Sequence, residues 1–213
     1  ERFSIVSQAS MIVALPRLFR RGKSADPAAF GTSLARRGAH LAQKTVLDYC
    51  AVKLGVNWHA ALSDPAFTRL LAVCRWRTYL AAQADVAAMA EAWLRPHASV
   101  PASLIGPIAA LAELAIRTAG VPEQHRAEAE AAIEALPGRL ARLQLGPPHR
   151  STELPLESAA VLLETLPIHP ELRKGETGSI LGALRMHLVS AEQDLERGFD
   201  PAPLAAALAA PLP

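Results

Sequence analysis

The stretch SDPAFTRLLAVCRWRTYLAAQADVAAMAEAWLRP, residues 63–96, decides how the chain folds. It opens on Ser63-Asp64-Pro65, which puts an aspartate at a helix N-cap and a proline in the first turn, where a missing N–H costs nothing. No second proline follows until Pro96, so a helix is expected from Pro65 to Arg95. Wound at about 100° per residue, its apolar residues Leu70, Leu71, Val73, Trp76, Tyr79, Leu80, Val86, Met89, Trp93 and Leu94 point to every side. A helix that is apolar all round is a buried one. The same helix carries Arg69, Arg75, Arg77, Asp85 and Glu91. Charges taken out of water need partners. Arg75, Arg77 and Asp85 are therefore the expected members of a buried polar network, with arginines that snorkel to the rim as the alternative.

The opening signal occurs twice. Ala25-Asp26-Pro27 predicts a first helix from Pro27 to Leu54, ended by Gly55. The link to the second helix, GVNWHAALS, is short, so the two form a long antiparallel hairpin over residues 27–95. Weaker periodic segments follow. Helices are expected over Ser103–Thr118, over Pro122–Leu143 with a break at Pro137-Gly138, over Leu156–Leu166 and over Ser179–Arg197. The tail PAPLAAALAAPLP reads as a last helical turn or two, or as frayed chain. LGPPHRSTELP, residues 145–155, is the best linker and the one candidate boundary inside an otherwise single domain, 1–213.

Composition agrees with an all-α bundle of six or seven helices built round that hairpin. Half of the chain is hydrophobic, yet aromatics are only 5%, so alanine and leucine, both strong helix formers, supply the core. Alternating Val/Ile/Thr runs that would make strands are absent. Cys50 and Cys74 are too few for a disulfide scaffold and sit within apolar helical pattern, which suits buried thiols in a reducing compartment.

The net charge of +2 conceals an asymmetry: residues 1–77 hold 12 Lys/Arg against 4 Asp/Glu, and the remainder holds 10 against 16. Either the two halves neutralise each other on folding, or the basic half faces an anionic surface. Residues 4–19, SIVSQASMIVALPRLF, form an apolar run too short to span a bilayer. Arg17, Arg20, Arg21 and Lys23 follow it, whereas a signal peptide carries its charge first. The segment suits an interfacial anchor with a basic collar, or a helix docked on the bundle.

Within the first helix, Leu34, Gly38, Leu41, Thr45, Tyr49 and Val52 share the expected core face. Arg36, Arg37, His40, Gln43, Lys44 and Asp48 share the opposite arc, with Arg36, His40, Lys44 and Asp48 in i,i+4 sequence. Such an arc suits a phosphate, a carboxylate or an acidic helix; otherwise it is a solvated face. Arg36, Arg37, His40 and Lys44 are the candidate partner-binding residues.

Residues 36–67, RRGAHLAQKTVLDYCAVKLGVNWHAALSDPAF, contain an RGA–LAQKT core, then Tyr49, Gly55 and Phe67. This segment resembles one found in bacterial all-helical proteins, some of which carry the label "esterase". The resemblance covers about a sixth of the chain. It implies a small helical domain and no established activity or assigned residues.

Motifs for catalysis are thin. The nearest approach to a nucleophile elbow, Gly31-Thr32-Ser33-Leu34-Ala35, lacks the last glycine and lies inside the first helix rather than after a strand. H-E-x-x-H and E-x-x-H are absent, and His125 with Glu128 is a lone pair, so no metal is expected. His97, His149 and His169 stand in proline-rich stretches without a second ligand, and His187 borders an apolar face. Cys50, at the edge of the basic arc, is either a thiol activated by Lys44 or a small buried hydrophobe. Phosphate loops and dinucleotide fingerprints are absent, and no cofactor is expected. Low total charge and few interleaved aromatics argue against nucleic acid. The expectation is a non-catalytic binding or adaptor protein, cytoplasmic, for a protein partner or anionic amphiphile, with peripheral contact at the inner membrane through residues 4–23. The alternatives are an esterase-like hydrolase and a bundle that holds a hydrophobic small molecule or lipid.

Overall fold

The computed structural model describes residues 22–210, and they form an all-α bundle. The helices are α1 (Pro27–Leu54), α2 (Trp58–Leu62), α3 (Pro65–Leu94), α4 (Ile105–Thr118), α5 (Arg126–Leu143), α6 (Glu157–Thr165), α7 (Thr177–Gly198) and α8 (Pro201–Ala209). The reading of residues 4–19 and of Arg17, Arg20 and Arg21 falls outside the described residues.

Both hairpin helices begin where their caps require. The Asp26 carboxylate accepts from the N–H groups of Ala28 at 3.1 Å and Ala29 at 3.0 Å. That of Asp64 accepts from Ala66 N–H at 2.8 Å. Each thus satisfies donors that the first turn leaves without an intrahelical acceptor. α1 stops at Gly55, which takes φ +50°, a left-handed conformation that favours glycine. The link is not open loop: a 3₁₀ turn at Gly55–Asn57 runs into α2. α1 and α3 run antiparallel, so Phe30 near the start of one stacks on Trp93 near the end of the other, ring centroids 6.3 Å apart.

α3 is the central helix, packed by α1, α4, α5, α6, α7 and α8. From Thr78 to Ala92 every residue is buried except half-buried Ala81. Alanine makes this possible. Ala82, Ala84, Ala87, Ala88, Ala90 and Ala92 let neighbouring backbones approach from all sides while still removing apolar surface from water. The first third of α3 differs from expectation. Leu70 is 57% exposed while Leu71 beside it is 5% exposed, so at this end only one face of α3 is covered. Val52, expected in the core, is 80% exposed, and Tyr49 is half-buried, because the last turns of α1 turn Tyr49 and Lys53, not Val52, toward Glu176 at the start of α7. The buried stripe of α1 instead runs through Phe30, Leu34, Gly38, Leu41, Thr45, Val46 and Cys50.

Gly38 of α1 packs directly against the Gln83 side chain of α3. A Cβ there would lie 2.5–2.7 Å from the Gln83 amide, which is buried and donates to the Ala35 carbonyl at 3.1 Å. Gly38→Ala gains about 1 kcal/mol in helix propensity. It also displaces the amide and leaves buried polar groups unpaired, so a net destabilisation of about 1–2 kcal/mol is expected. Urea unfolding measures it. Gly38→Ala with Gln83→Ala recovers most of the loss; a Gly38→Ala protein as stable as the parent rules the close contact out.

The later helices also depart in detail. The expected break at Pro137-Gly138 does not occur, and α5 runs through it. Pro137 withholds only the N–H that would reach the Ile133 carbonyl, and both Pro137 and Gly138 are exposed, where water compensates. Pro101–Leu104 form a 3₁₀ turn before α4. The tail is helical as α8 because Leu204, Ala205 and Leu208 are buried against the bundle. Residues 145–155 are irregular but anchored. Arg185 of α7 donates to the carbonyls of Ser151 and Leu154 at 2.6 Å each, and the Ser151 hydroxyl bonds Glu192. At the other end of α7, Ser24 and Phe199 form an isolated bridge that ties the start of α1 to the α7–α8 corner.

Candidate functional site

The outward arc of α1 is divided by its neighbours. Arg37 pairs with Asp194 of α7. Lys44 pairs with Asp48 one turn on, at 2.7 Å. His40 meets His187 of α7 edge to face, with ring centroids 5.5 Å apart and planes at 88°. Burial first, then His40, holds His187 below the usual histidine range; Lys44 adds to this and Asp48 opposes it. Of the four candidate residues, Arg37 and Lys44 are thus neutralised within the fold.

Arg36 points to the other flank of the arc, where the structure places it with a residue assigned to a different role. Arg36 and Arg75 both line an open groove of about 580 Å³ between α1, α3 and the end of α4. The groove wall is alanine from three helices: Ala35, Ala39 and Ala42, then Ala72, then Ala115 and Ala119. Small side chains on facing helices leave the space between them unfilled. Trp76 and Tyr79 close the α3 side, ring centroids 5.7 Å apart and perpendicular. Tyr79 donates its hydroxyl to the Ala115 carbonyl at 3.0 Å, so it presents a ring edge and no free polar group. Gln43 and Thr118 are the neutral polar residues in the lining. The nearby carboxylates are engaged elsewhere: Asp48 by Lys44, Asp194 by Arg37 and Arg197. Among the described residues, Arg36 and Arg75 have no carboxylate partner. A shallower depression of about 260 Å³, lined by Arg36, Arg37, Ala39, His40 and Gln43, adjoins it.

The expected network of Arg75, Arg77 and Asp85 does not assemble. Arg75 is exposed. Arg77 clasps Glu128 of α5 at 3.4 Å and Glu164 of α6 at 3.2 Å at the surface. Asp85 is fully buried, and its counter-ion is Arg139 of α5 at 2.6 Å. The same carboxylate accepts from the N–H groups of Glu157 at 2.9 Å and Ser158 at 3.0 Å, and from the Ser158 hydroxyl. It therefore caps α6 from another helix. A second buried pair, Glu91 and Arg95, was not anticipated, although its i,i+4 spacing is visible in the sequence. Arg139 carries no such signal, being 54 residues from its partner.

Nucleophile candidates are poorly placed. Ser33 lies inside α1. Cys50 and Cys74 are free and buried. Burial pushes the Cys50 thiol up to about 12, with Cys74 adding to it, so Lys44 does not activate it. Burial raises the Cys74 thiol as well. Among the described residues, no cluster of three or more His, Cys, Asp or Glu is arranged to hold a metal ion. Nor, among them, is any helix long and apolar enough to cross a membrane. Comparison with protein-family models, with curated proteins and with solved structures finds no match to this chain.

Proposed function

We propose that the protein is a non-catalytic binding protein that holds an anionic amphiphile in the groove between α1, α3 and α4. The apolar body lies on the alanine wall against Trp76 and Tyr79, and the carboxylate or phosphate head sits between Arg36 and Arg75. The observation that carries the reading is the pairing of two arginines without carboxylate partners with an apolar groove. Its volume of about 580 Å³ is that of a small-ligand site. Guanidinium forks suit bidentate capture of carboxylate or phosphate, and charge-assisted hydrogen bonds are the strong ones. A cytoplasmic setting, with peripheral contact at an anionic membrane surface through the basic collar of residues 4–23, supplies a source of such ligands. The esterase label carried by resembling proteins finds less support, since Cys50 is held as a thiol and Ser33 lies within a helix.

The test is a titration with laurate, followed by tryptophan fluorescence, with dodecanol as the uncharged control. Laurate is expected to change the emission, and added salt to weaken its binding. Losing two charge-assisted hydrogen bonds, each about 1.5–3 kcal/mol, predicts that Arg36→Ala with Arg75→Ala weakens laurate binding at least a hundredfold. Dodecanol binding is expected to change little. Equal laurate affinity in the double variant overturns the reading.

A further inference from the structure

α7 lies along α1 and is fastened to it at three levels. At its start, Glu176 accepts from the Tyr49 hydroxyl at 2.8 Å and pairs with Lys53. Near its end, Asp194 pairs with Arg37. Between them His187 meets His40, the rings 5.5 Å apart and at 88°. The outer two contacts join opposite charges. The middle one joins two groups that are neutral when deprotonated and carry the same charge when protonated.

His40 is exposed and His187 half-buried. Neither ring has a protein hydrogen-bond partner among the described residues, so no acceptor is in place for the proton that acid adds. The charged groups that act on the His187 ring come from α1. His40 and Lys44 disfavour its proton, and Asp48, itself paired with Lys44 at 2.7 Å, favours it. α3 and α6 also pack on α7 but bring no charge to this ring. On α7 itself, Arg185 is held by the Ser151 and Leu154 carbonyls, and Glu192 by the Ser151 hydroxyl. Ile180, Leu184, Leu188, Ala191 and Leu195 are buried along the inner face and keep α7 on the bundle whatever the charge. The histidines therefore set how tightly α7 is held, not whether it is held.

We propose that the His40–His187 contact is an acid-sensitive latch between α1 and α7: neutral rings pack edge to face, protonated rings repel, and acidification loosens α7 against α1. The fold holds His187 below the usual histidine range, so it favours the neutral ring more than the unfolded chain does. Its contribution is thus full above the ordinary histidine value of about 6.5 and is lost as the pH falls through the lower folded value. Lys53 first, then Tyr49, hold the Glu176 carboxyl below the usual carboxylate range. That contact therefore outlasts the histidine pair in acid, and α7 loosens from its middle rather than from its start.

The experiment follows the full chain between about pH 7.5 and about pH 5, the range in which histidine changes charge. NMR titration of the imidazole C2 protons is expected to place His187 below the usual histidine range, and closer to it in His40→Gln, which lacks the facing ring. In urea unfolding, acidification is expected to lower the folding equilibrium constant severalfold more in the parent than in His187→Gln or His40→Gln. Amide exchange at the acid end is expected to show the excess opening in α7 and not in α4. His40→Gln changes an exposed position, so it carries the comparison if His187→Gln does not fold. A His187 titration at or above the usual range, equal acid losses in the parent and His40→Gln, or opening no greater in α7 than in α4 each overturns the proposal.

Discussion

Replacing Asp85 with alanine is expected to destabilise the protein by about 3–5 kcal/mol, because it leaves a buried cation without its counter-ion. Arg139, 7% exposed, keeps only the Pro155 carbonyl and the half-exposed Glu157. The N–H groups of Glu157 and Ser158 lose their acceptor, so α6 also loses its cap, a contribution of about 1 kcal/mol within that total. Domains are stable by only about 5–15 kcal/mol, so the variant sits near the edge of folding. For a chain of this length the loss lowers Tm by about 6–20 °C, readable by calorimetry. A double variant separates the charge from the shape. Asp85→Leu with Arg139→Leu removes both ions and is expected to cost clearly less than the sum of the single changes. Additive losses would show that Asp85 and Arg139 do not act as a pair.

The second large effect is expected at the far end of α3. Glu91 is fully buried, and its carboxylate accepts from Arg95 Nε at 2.8 Å, Arg95 Nη2 at 2.7 Å and Gln144 Nε2 at 2.8 Å. Arg95 reaches on to the carbonyls of Leu143 at 3.2 Å and Gly146 at 2.7 Å, which lie at and beyond the end of α5. Cations at a helix C-terminus satisfy the last carbonyls and the dipole together. Arg95→Met keeps the apolar stem but leaves Glu91 with Gln144 alone. A loss of about 3–5 kcal/mol is expected in urea unfolding. Adding Glu91→Leu to it removes the stranded charge and is expected to return part of the stability. A double variant less stable than Arg95→Met would mean that the carboxylate has other partners that matter more.

These two sites show what was legible in the sequence and what was not. The burial of α3 and its need for ion partners followed from its apolar residues on every side and its interior charges. That Asp85 requires a counter-ion was therefore readable. That the counter-ion is Arg139, and not Arg75 or Arg77, was not. Arg75 and Arg77 lie just before the buried stretch that begins at Thr78, on turns of α3 that are covered on one side only, and burial along a helix depends on which of its faces the neighbours cover. Val52 and Leu70 are exposed while Cys50 and Leu71 near them are buried, which is the same one-sided covering. The groove was half legible. Arg36 stood out in the basic arc of α1, but its companions Arg37 and Lys44 are neutralised by Asp194 and Asp48, and Arg75, which lines the groove with it, is on another helix.

The sequence by itself determined the helical class, the limits of α1 and the start of α3, and the central place of α3. Those features rest on local physics: an aspartate before a proline caps a helix wherever it occurs, a glycine ends one, and apolar residues at every angle leave no face for water. The tertiary structure alone decided which charges are paired and where a cavity remains. Both depend on distances between helices far apart in the chain. Alanines at facing positions leave a groove only because three helices bring them together, and an arginine is free only because its neighbours' carboxylates are taken. Electrostatic energies fall with distance and rise with burial, and neither quantity is written in the order of residues.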